Sequence, residues 1–489
     1  MIYNKDMKNI LKSILQLTLI SLLVIGCKES TDSKENQEKT VNTERPNIIM
    51  IVTDDMGWHD LGTYGNVFIE TPNLDGLANT GIKFTNAYAA APLCSPSRAS
   101  IMTGLHPISV NITEHIHGNR PSGPNKKLST PPISQQLDLE FTTLAETLKA
   151  KNYKTAFMGK WHLGGGKFEP QHQGFDINIA GSYNGLPSSF FYPFFNPGEK
   201  PEIQDSSSEG DYLTDVLTDK ALEYITKTKD STFFLSLNYY SPHVPIEGKD
   251  ELVQKYIEKR GTDADSILPN VHYAAMIESI DQNVGRILKK LEELKLSENT
   301  LIIFTSDNGG LSVREVPAFA KHTPPTDNGP LRAGKGYLYE GGIREPLIMN
   351  WPAVFKTPKT IDAPVIAQDF YNTITAITKS EAKTADGENL LPLINDTSIP
   401  ERGLLWHLPH YSPQHAKPVT AFRYGDYKII HFYEDDRYEL YNLKTDQSES
   451  KDLANDEPEK LKSIKEKMEA ELKRLGAKFP EPNPIYKGN

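Results

Sequence analysis

Five consecutive residues, Cys94-Ser95-Pro96-Ser97-Arg98, set a thiol and a guanidinium four positions apart, followed at once by Ala99-Ser100-Ile101-Met102-Thr103-Gly104. The run reads as the start of a helix, where residues i and i+4 share a face. A helix N-terminus attracts anions through its free N–H groups and its dipole. A nucleophile-sized group, a guanidinium and a positive helix end then meet at one point, which suits a tetrahedral oxyanion such as sulfate or phosphate. Alone, the pair reads better as a buried structural cysteine beside a surface arginine. What the rest of the chain brings to the same place decides between the two.

Asp54-Asp55 and Asp307-Asn308 each follow an apolar run. Three carboxylates and an amide oxygen form a hard-oxygen set suited to Ca²⁺ and, less comfortably, to Mg²⁺. No Cys₂His₂ or His₃ spacing marks a zinc site. Lys160 and His162 are two apart, so an extended chain would turn both to one side, where they could hold an anion's oxygens. His243 lies between Pro242 and Val244-Pro245, whose rings stiffen the loop, and a held histidine can serve as general acid for a leaving alkoxide. Lys335 is flanked by Gly334 and Gly336, which allow close backbone approach to a ligand.

Four apolar runs must position these groups: Asn47–Val52, Lys154–Met158, Phe233–Leu237 and Thr300–Phe304. Helical periodicity separates them at Thr142–Lys151, Asp211–Lys227 and Val271–Leu294. Such alternation predicts an α/β fold, a large mixed and mostly parallel sheet sandwiched by helices, with ligands at the carboxyl ends of the strands. From about Pro400 the texture changes. Thr420–Phe432 and Arg437–Leu443 read as short strands around turns, and Glu457–Leu475 as an amphipathic helix. The expected organisation is a catalytic domain over 46–399 and a smaller α+β subdomain, antiparallel sheet plus helix, over 400–489.

With 489 residues, 38% hydrophobic and 24% charged, the chain is globular in composition and large enough for a sizeable core. A net charge of −11 argues against a nucleic-acid partner, though a local basic pocket can still take an anionic substrate. Two cysteines, Cys27 and Cys94, exclude a disulfide framework. Lys5, Lys8 and Lys12 precede the short apolar run Ile14–Ile25, which fits a signal peptide over 1–26 better than a spanning helix. Val24-Ile25-Gly26-Cys27 resembles a bacterial lipoprotein signal, which would make Cys27 the lipidated first residue of a flexible tether, 27–45. The expectation is an exported protein, lipid-anchored in the bacterial cell envelope (outer membrane or periplasm) and without a transmembrane domain.

Taken together, the chain resembles the type I, formylglycine-dependent sulfatases of the alkaline-phosphatase-like superfamily. Cys94-Ser95-Pro96-Ser97-Arg98 matches their Cys-x-Pro-x-Arg signature. Gly159-Lys160-Trp161-His162-Leu163-Gly164, Pro242-His243-Val244-Pro245, Ser306-Asp307-Asn308-Gly309-Gly310 and Gly334-Lys335-Gly336 extend the match from Pro46 to about Lys473. The resemblance implies that a separate maturation enzyme oxidises Cys94 to Cα-formylglycine (3-oxoalanine), whose hydrated gem-diol is the nucleophile. It implies Ca²⁺ on Asp54, Asp55, Asp307, Asn308 and modified residue 94. Arg98 and His162 would orient the hydrate; Lys160, His243 and Lys335 would contact the sulfate, with His243 or Lys335 assisting the leaving oxygen.

The implied substrate is a sulfated carbohydrate, because the tract Asn328–Pro346 resembles bacterial sulfatases acting on carbohydrate sulfates. Oligosaccharides from algal ulvan, from galactan or carrageenan, or from glycosaminoglycans all suit it. Candidates for the sugar contacts are His115, His117 and Arg120 in the loop His106–Leu137, and Arg314, His322, Arg344, His407 and His410. Two other readings stand beside this one. A phosphomonoester or phosphonate hydrolase of the same superfamily would release phosphate faster than sulfate from aryl esters. A non-catalytic glycan-binding lipoprotein would bind without turnover.

Overall fold

In the computed structural model, residues 45–116, 122–381 and 386–488 are described. The N-terminal signal and Cys27 lie outside the described residues, as do His117 and Arg120. In chain order the strands are β1 (Asn47–Thr53), β2 (Ile82–Tyr88), β3 (Leu128–Ser129), β4 (Lys154–Gly159), β5 (Ile177–Ile179), β6 (Phe233–Asn238), β7 (Thr300–Ser306), β8 (Arg344–Asn350), β9 (Lys359–Ile361), β10 (Val365–Ile366), β11 (Gly403–Leu408), β12 (Val419–Tyr424), β13 (Tyr427–Phe432), β14 (Arg437–Asn442) and β15 (Glu481–Pro482).

Nine of them form one sheet in the order β10-β2-β8-β7-β1-β6-β4-β5, with β9 also on β2. β1, β6 and β7 are buried along their whole length, which explains their unbroken apolar runs. Alternate side chains of β1 serve opposite cores. Ile49 and Ile51 pack with the helices Leu213–Thr228 and Val271–Glu293, whereas Ile48, Met50 and Val52 pack with Cys94–Thr103, Leu144–Lys149 and Asp369–Ile377. The helix expected over Thr142–Lys151 is trimmed to Leu144–Lys149 because Thr143 and Glu146 form a capping box that fixes its start.

Register is what builds the site. β7, β1, β6 and β4 are neighbours and parallel, with Thr53 opposite Ser306, Val52 opposite Asn238, and Asn238 opposite Gly159. Their carboxyl ends therefore finish along one edge, and whatever follows each strand is delivered to one place. β8 runs antiparallel to both β7 and β2, so the sheet is mixed.

β11 to β14 form a separate antiparallel meander. On one face Leu405, Phe422, Ile429 and Leu440 pack against Ile464, Met468 and Leu472 of the helix Pro458–Leu475. On the other, Trp406, Leu408 and Ile430 pack against Tyr88, Leu93 and Ile343 of the larger sheet's surroundings. Lys428 is buried between the carboxylates of Glu340 and Glu449, 2.9 Å from each. Among the described residues no helix is long and apolar enough to cross a membrane.

Candidate active site

Asp54 and Asp55 follow β1, Lys160 follows β4, His243 lies five residues beyond β6, and Asp307-Asn308 follow β7. Asp55 adopts φ 66°, a left-handed conformation that turns the chain sharply at the strand end. Its carboxylate accepts from Lys335 Nζ (2.8 Å) and Asn308 Nδ2 (2.7 Å), and His243 Nε2 lies 3.6 Å away. Asp54 accepts from Lys160 Nζ at 2.6 Å, with both side chains fully buried. Asp307 anchors the set by accepting from Arg98 Nε (2.8 Å).

Cys94 is the first residue of the helix Cys94–Thr103 and is 3% exposed. Arg98, one turn on, donates to Asp307, to the Lys160 carbonyl (2.7 Å) and to Asn238 Oδ1 (3.2 Å). Ser95 donates to the His162 carbonyl and accepts from the Ile116 amide, both at 3.0 Å. His162 has φ 54°, so the extended arrangement expected for Lys160 and His162 does not occur. Gly159 ends the strand at φ 103°, and the chain turns there. His162 instead reaches the site by packing its ring on Gly185, where a β-carbon would come within 2.5 Å of Cε1.

The charges in this centre constrain one another. Burial pushes Asp54 up to about 8 against the pull of Lys160, with Asp307 and Asp55 adding to the rise. Burial would raise Asp55 as well, but Lys335, His243 and Lys160 outweigh it and bring that carboxyl to about 2. Burial, then the neighbouring lysines, drives His162 and His243 well below the usual imidazole range. Burial also raises the Cys94 thiol despite Lys160 and Lys335, which makes the unmodified side chain a poor nucleophile.

The donor set fits a hard divalent cation. Asp54 Oδ1 and Asn308 Oδ1 are buried oxygens with no hydrogen-bond donor, a state that costs about 1–3 kcal/mol for each group. Asp54, Asp55, Cys94 and His243 each offer a ligand atom, all within 4.8 Å of one another. His243, expected at the sulfate, thus also borders the cation pocket.

A cavity of about 670 Å³ opens over the centre, lined among others by Cys94, His162, His243 and Lys335. Of the candidates for sugar contacts, His115 and His410 line it. The others that can be traced stand elsewhere. Arg314 is exposed, and His322 pairs with Asp265 and stacks on His272. Arg344 donates to the Thr85 carbonyl, and His407 is held between Thr420 and the Lys478 carbonyl. Sequence reasoning missed Asn238 and Glu114. Asn238 is the last residue of β6, so the rule that singled out the other strand ends would have found it. Glu114 sits in a loop with no pattern to mark it.

A parallel-strand edge carrying buried carboxylates beside a helix-borne cysteine and arginine defines a site for hydrolysing esters of a tetrahedral oxyanion. Residues 46–380 match the sulfatase family model, and residues 333–478 match the model described as N-sulphoglucosamine sulphohydrolase, C-terminal. The chain belongs to the sulfatase family. A Formosa agariphila protein described as a sulfatase is 30% identical over 555 residues, covering 98% of this chain and 96% of that one. Human N-acetylgalactosamine-6-sulfatase is 31% identical over 384 residues, covering 74% and 68%. The crystal structure of Ps i-CgsB in complex with k-i-k-neocarrahexaose matches with a TM-score of 0.72 at 27% identity, covering 87% and 92%.

Proposed function

We propose that this chain hydrolyses sulfate esters on carbohydrates, with Cys94 in its Cα-formylglycine form as nucleophile and Ca²⁺ held by Asp54, Asp55, Asp307 and Asn308. The observation that carries this reading is Cys94 at a helix N-terminus, at the floor of a cavity and beside buried carboxylates. A bound Ca²⁺ supplies Lewis-acid polarisation of a sulfate oxygen and lowers the pKa of a coordinated hydroxyl. Lys335 and His243 open on the cavity and contact the sulfate in this reading, while His162, also on the cavity, orients the formylglycine hydrate. Lys160, the third sulfate contact, and Arg98, the second group on the hydrate, also hold Asp54 and Asp307 in place. Their fixed charges balance the buried carboxylates, so the site is preorganised before substrate enters.

Two relatives support a carbohydrate substrate: one named for N-acetylgalactosamine 6-sulfate, and one structure holding k-i-k-neocarrahexaose. Oligosaccharides of glycosaminoglycan, galactan (carrageenan) or ulvan type are the classes to screen. The test is a desulfation screen on defined sulfated oligosaccharides, using protein made with and without a formylglycine-generating enzyme and Cys94→Ala as the blank. Sulfate release should follow conversion of residue 94, read by the mass of the peptide spanning it. Full activity with an unmodified thiol, or phosphate release exceeding sulfate release from aryl esters, overturns the reading.

We also infer export and lipid anchoring through Cys27 in the bacterial cell envelope, on the strength of the N-terminal signal. Labelled fatty acid should enter the wild-type chain and not Cys27→Ala; equal labelling of both defeats the inference.

A further inference from the structure

We infer that Glu114, oriented by His410, holds hydroxyl groups of the sugar that bears the sulfate, and so selects a neutral sugar ring with free hydroxyls. The inference rests on the carbohydrate-sulfatase reading above. Glu114 is 4% exposed yet lines the same cavity as Cys94, Lys335 and His162. The catalytic centre makes no use of it. An ionised carboxylate accepts hydrogen bonds and donates none, so it offers nothing to an anionic sulfate group. Its place in this cavity points to the part of the substrate that carries O–H donors.

The loop around Glu114 is fixed at both ends. Val110, Ile112 and Ile116 are buried in the core beneath it, and the Ile116 amide is tied to Ser95, the neighbour of Cys94. The loop that carries the carboxylate is therefore tied to the helix that carries the nucleophile. His410, from the segment after β11, is 1% exposed, with Nε2 2.8 Å from Thr113 Oγ1 and Nδ1 3.5 Å from Glu114 Oε2. A Thr113 hydroxyl donating to Nε2 leaves the ring proton on Nδ1, facing Glu114. Nδ1 itself is buried and makes no hydrogen bond of ordinary length. Burial keeps His410 neutral, so the ring orients the carboxylate without cancelling its charge. The His115 Nδ1 lies 3.9 Å from the other carboxylate oxygen. A carboxylate on the cavity wall can accept from a sugar hydroxyl in addition to the contacts it already makes, and it disfavours a second anion, such as a uronate, at that point of the ring.

Wild-type, formylglycine-containing protein and its variants test this on two kinds of probe. One is 4-nitrophenyl sulfate, which has no hydroxyl to hold. The others are the methyl glycosides of galactose 6-sulfate and N-acetylgalactosamine 6-sulfate, with their 3-deoxy and 4-deoxy analogues. Glu114→Ala should lower kcat/KM on the sugar sulfate about 100-fold, while the aryl ester changes by no more than about threefold. Glu114→Gln, of the same shape, should fall between. Removing the contacted hydroxyl should cost the wild type a similar factor and cost Glu114→Ala nothing further. His410→Leu should raise KM for the sugar with kcat kept, and His410→Gln, which restores an N–H donor, should recover most of it.

Equal losses on aryl and sugar esters, with a lowered melting temperature, would make Glu114 merely structural and overturn the inference. No loss on the sugar ester overturns it too and leaves the carbohydrate reading intact. A wild-type enzyme that cleaves the aryl ester and neither sugar ester overturns both.

Discussion

The Asp307 carboxylate accepts from the Arg98 guanidinium and, on the proposed reading, would also be a ligand of the cation. Asp307→Ala would take from the 2% exposed Arg98 its nearest charged partner, leaving the Lys160 carbonyl, Asn238 and the more distant Asp54, at a cost of up to about 3 kcal/mol, and thermal unfolding should show the loss with or without metal. Asp54→Asn makes a cleaner probe of the cation. In the wild type, chelation of Ca²⁺ should lower the melting temperature and re-addition restore it, by about 2.7 kcal/mol at 100 times the dissociation constant. Asp54→Asn should lose that dependence; an undiminished Ca²⁺ response would remove Asp54 from the ligand set. Most of the centre was legible in the sequence because each member sits at a strand end or inside a short motif. Glu114 and His410 were not paired in that reading, because the Thr113–His410 contact spans 297 positions and joins two loops without periodicity.

The strands and helices were readable where burial imposes a repeat, and less so where a local turn overrides it. β1, β6 and β7 declare themselves as apolar runs, whereas β11 was overlooked: Gly403–Leu408 lacks the alternation that marks a half-buried strand, since nearly all of it is covered on both faces. The meander it opens touches the active site through more than packing. Lys428 of β13 reaches across to Glu340, which begins the turn of helix that follows Lys335. Lys428→Ala would leave Glu340 and Glu449 buried without their shared cation, and should cost about 3–5 kcal/mol in unfolding. Activity on 4-nitrophenyl sulfate should fall with it as the Lys335 loop loosens. Retained activity in a destabilised protein would separate the two effects.

Across the whole molecule, the C-terminal part carries two histidines that burial keeps uncharged, His407 held within it and His410 meeting Thr113 of the larger part. His407 is pushed down to about 4 and His410 to about 3, whereas in the unfolded chain both return to about 6.5. Above pH 6.5 neither state binds the proton. Between 6.5 and 4 the unfolded chain does and the folded one does not, so stability should drop steadily on acidification through that window. The melting temperature of His407→Gln should be flatter against pH than the wild type's; parallel curves would assign the acid sensitivity elsewhere.

Cys94 is 3% exposed at the wall of the cavity, with the adjacent Ser95 pinned to Ile116 and His162. On the proposed reading, a maturation enzyme that must take the segment around Cys94 as an extended peptide would act before this helix docks. The fraction of working molecules is then a partition ratio between two competing clocks, conversion and folding. A chain that folds first is lost to catalysis, however stable it is. Slower folding in the producing cell should therefore raise specific activity per molecule, an advantage opposite in sign to the one fast folding gives most enzymes.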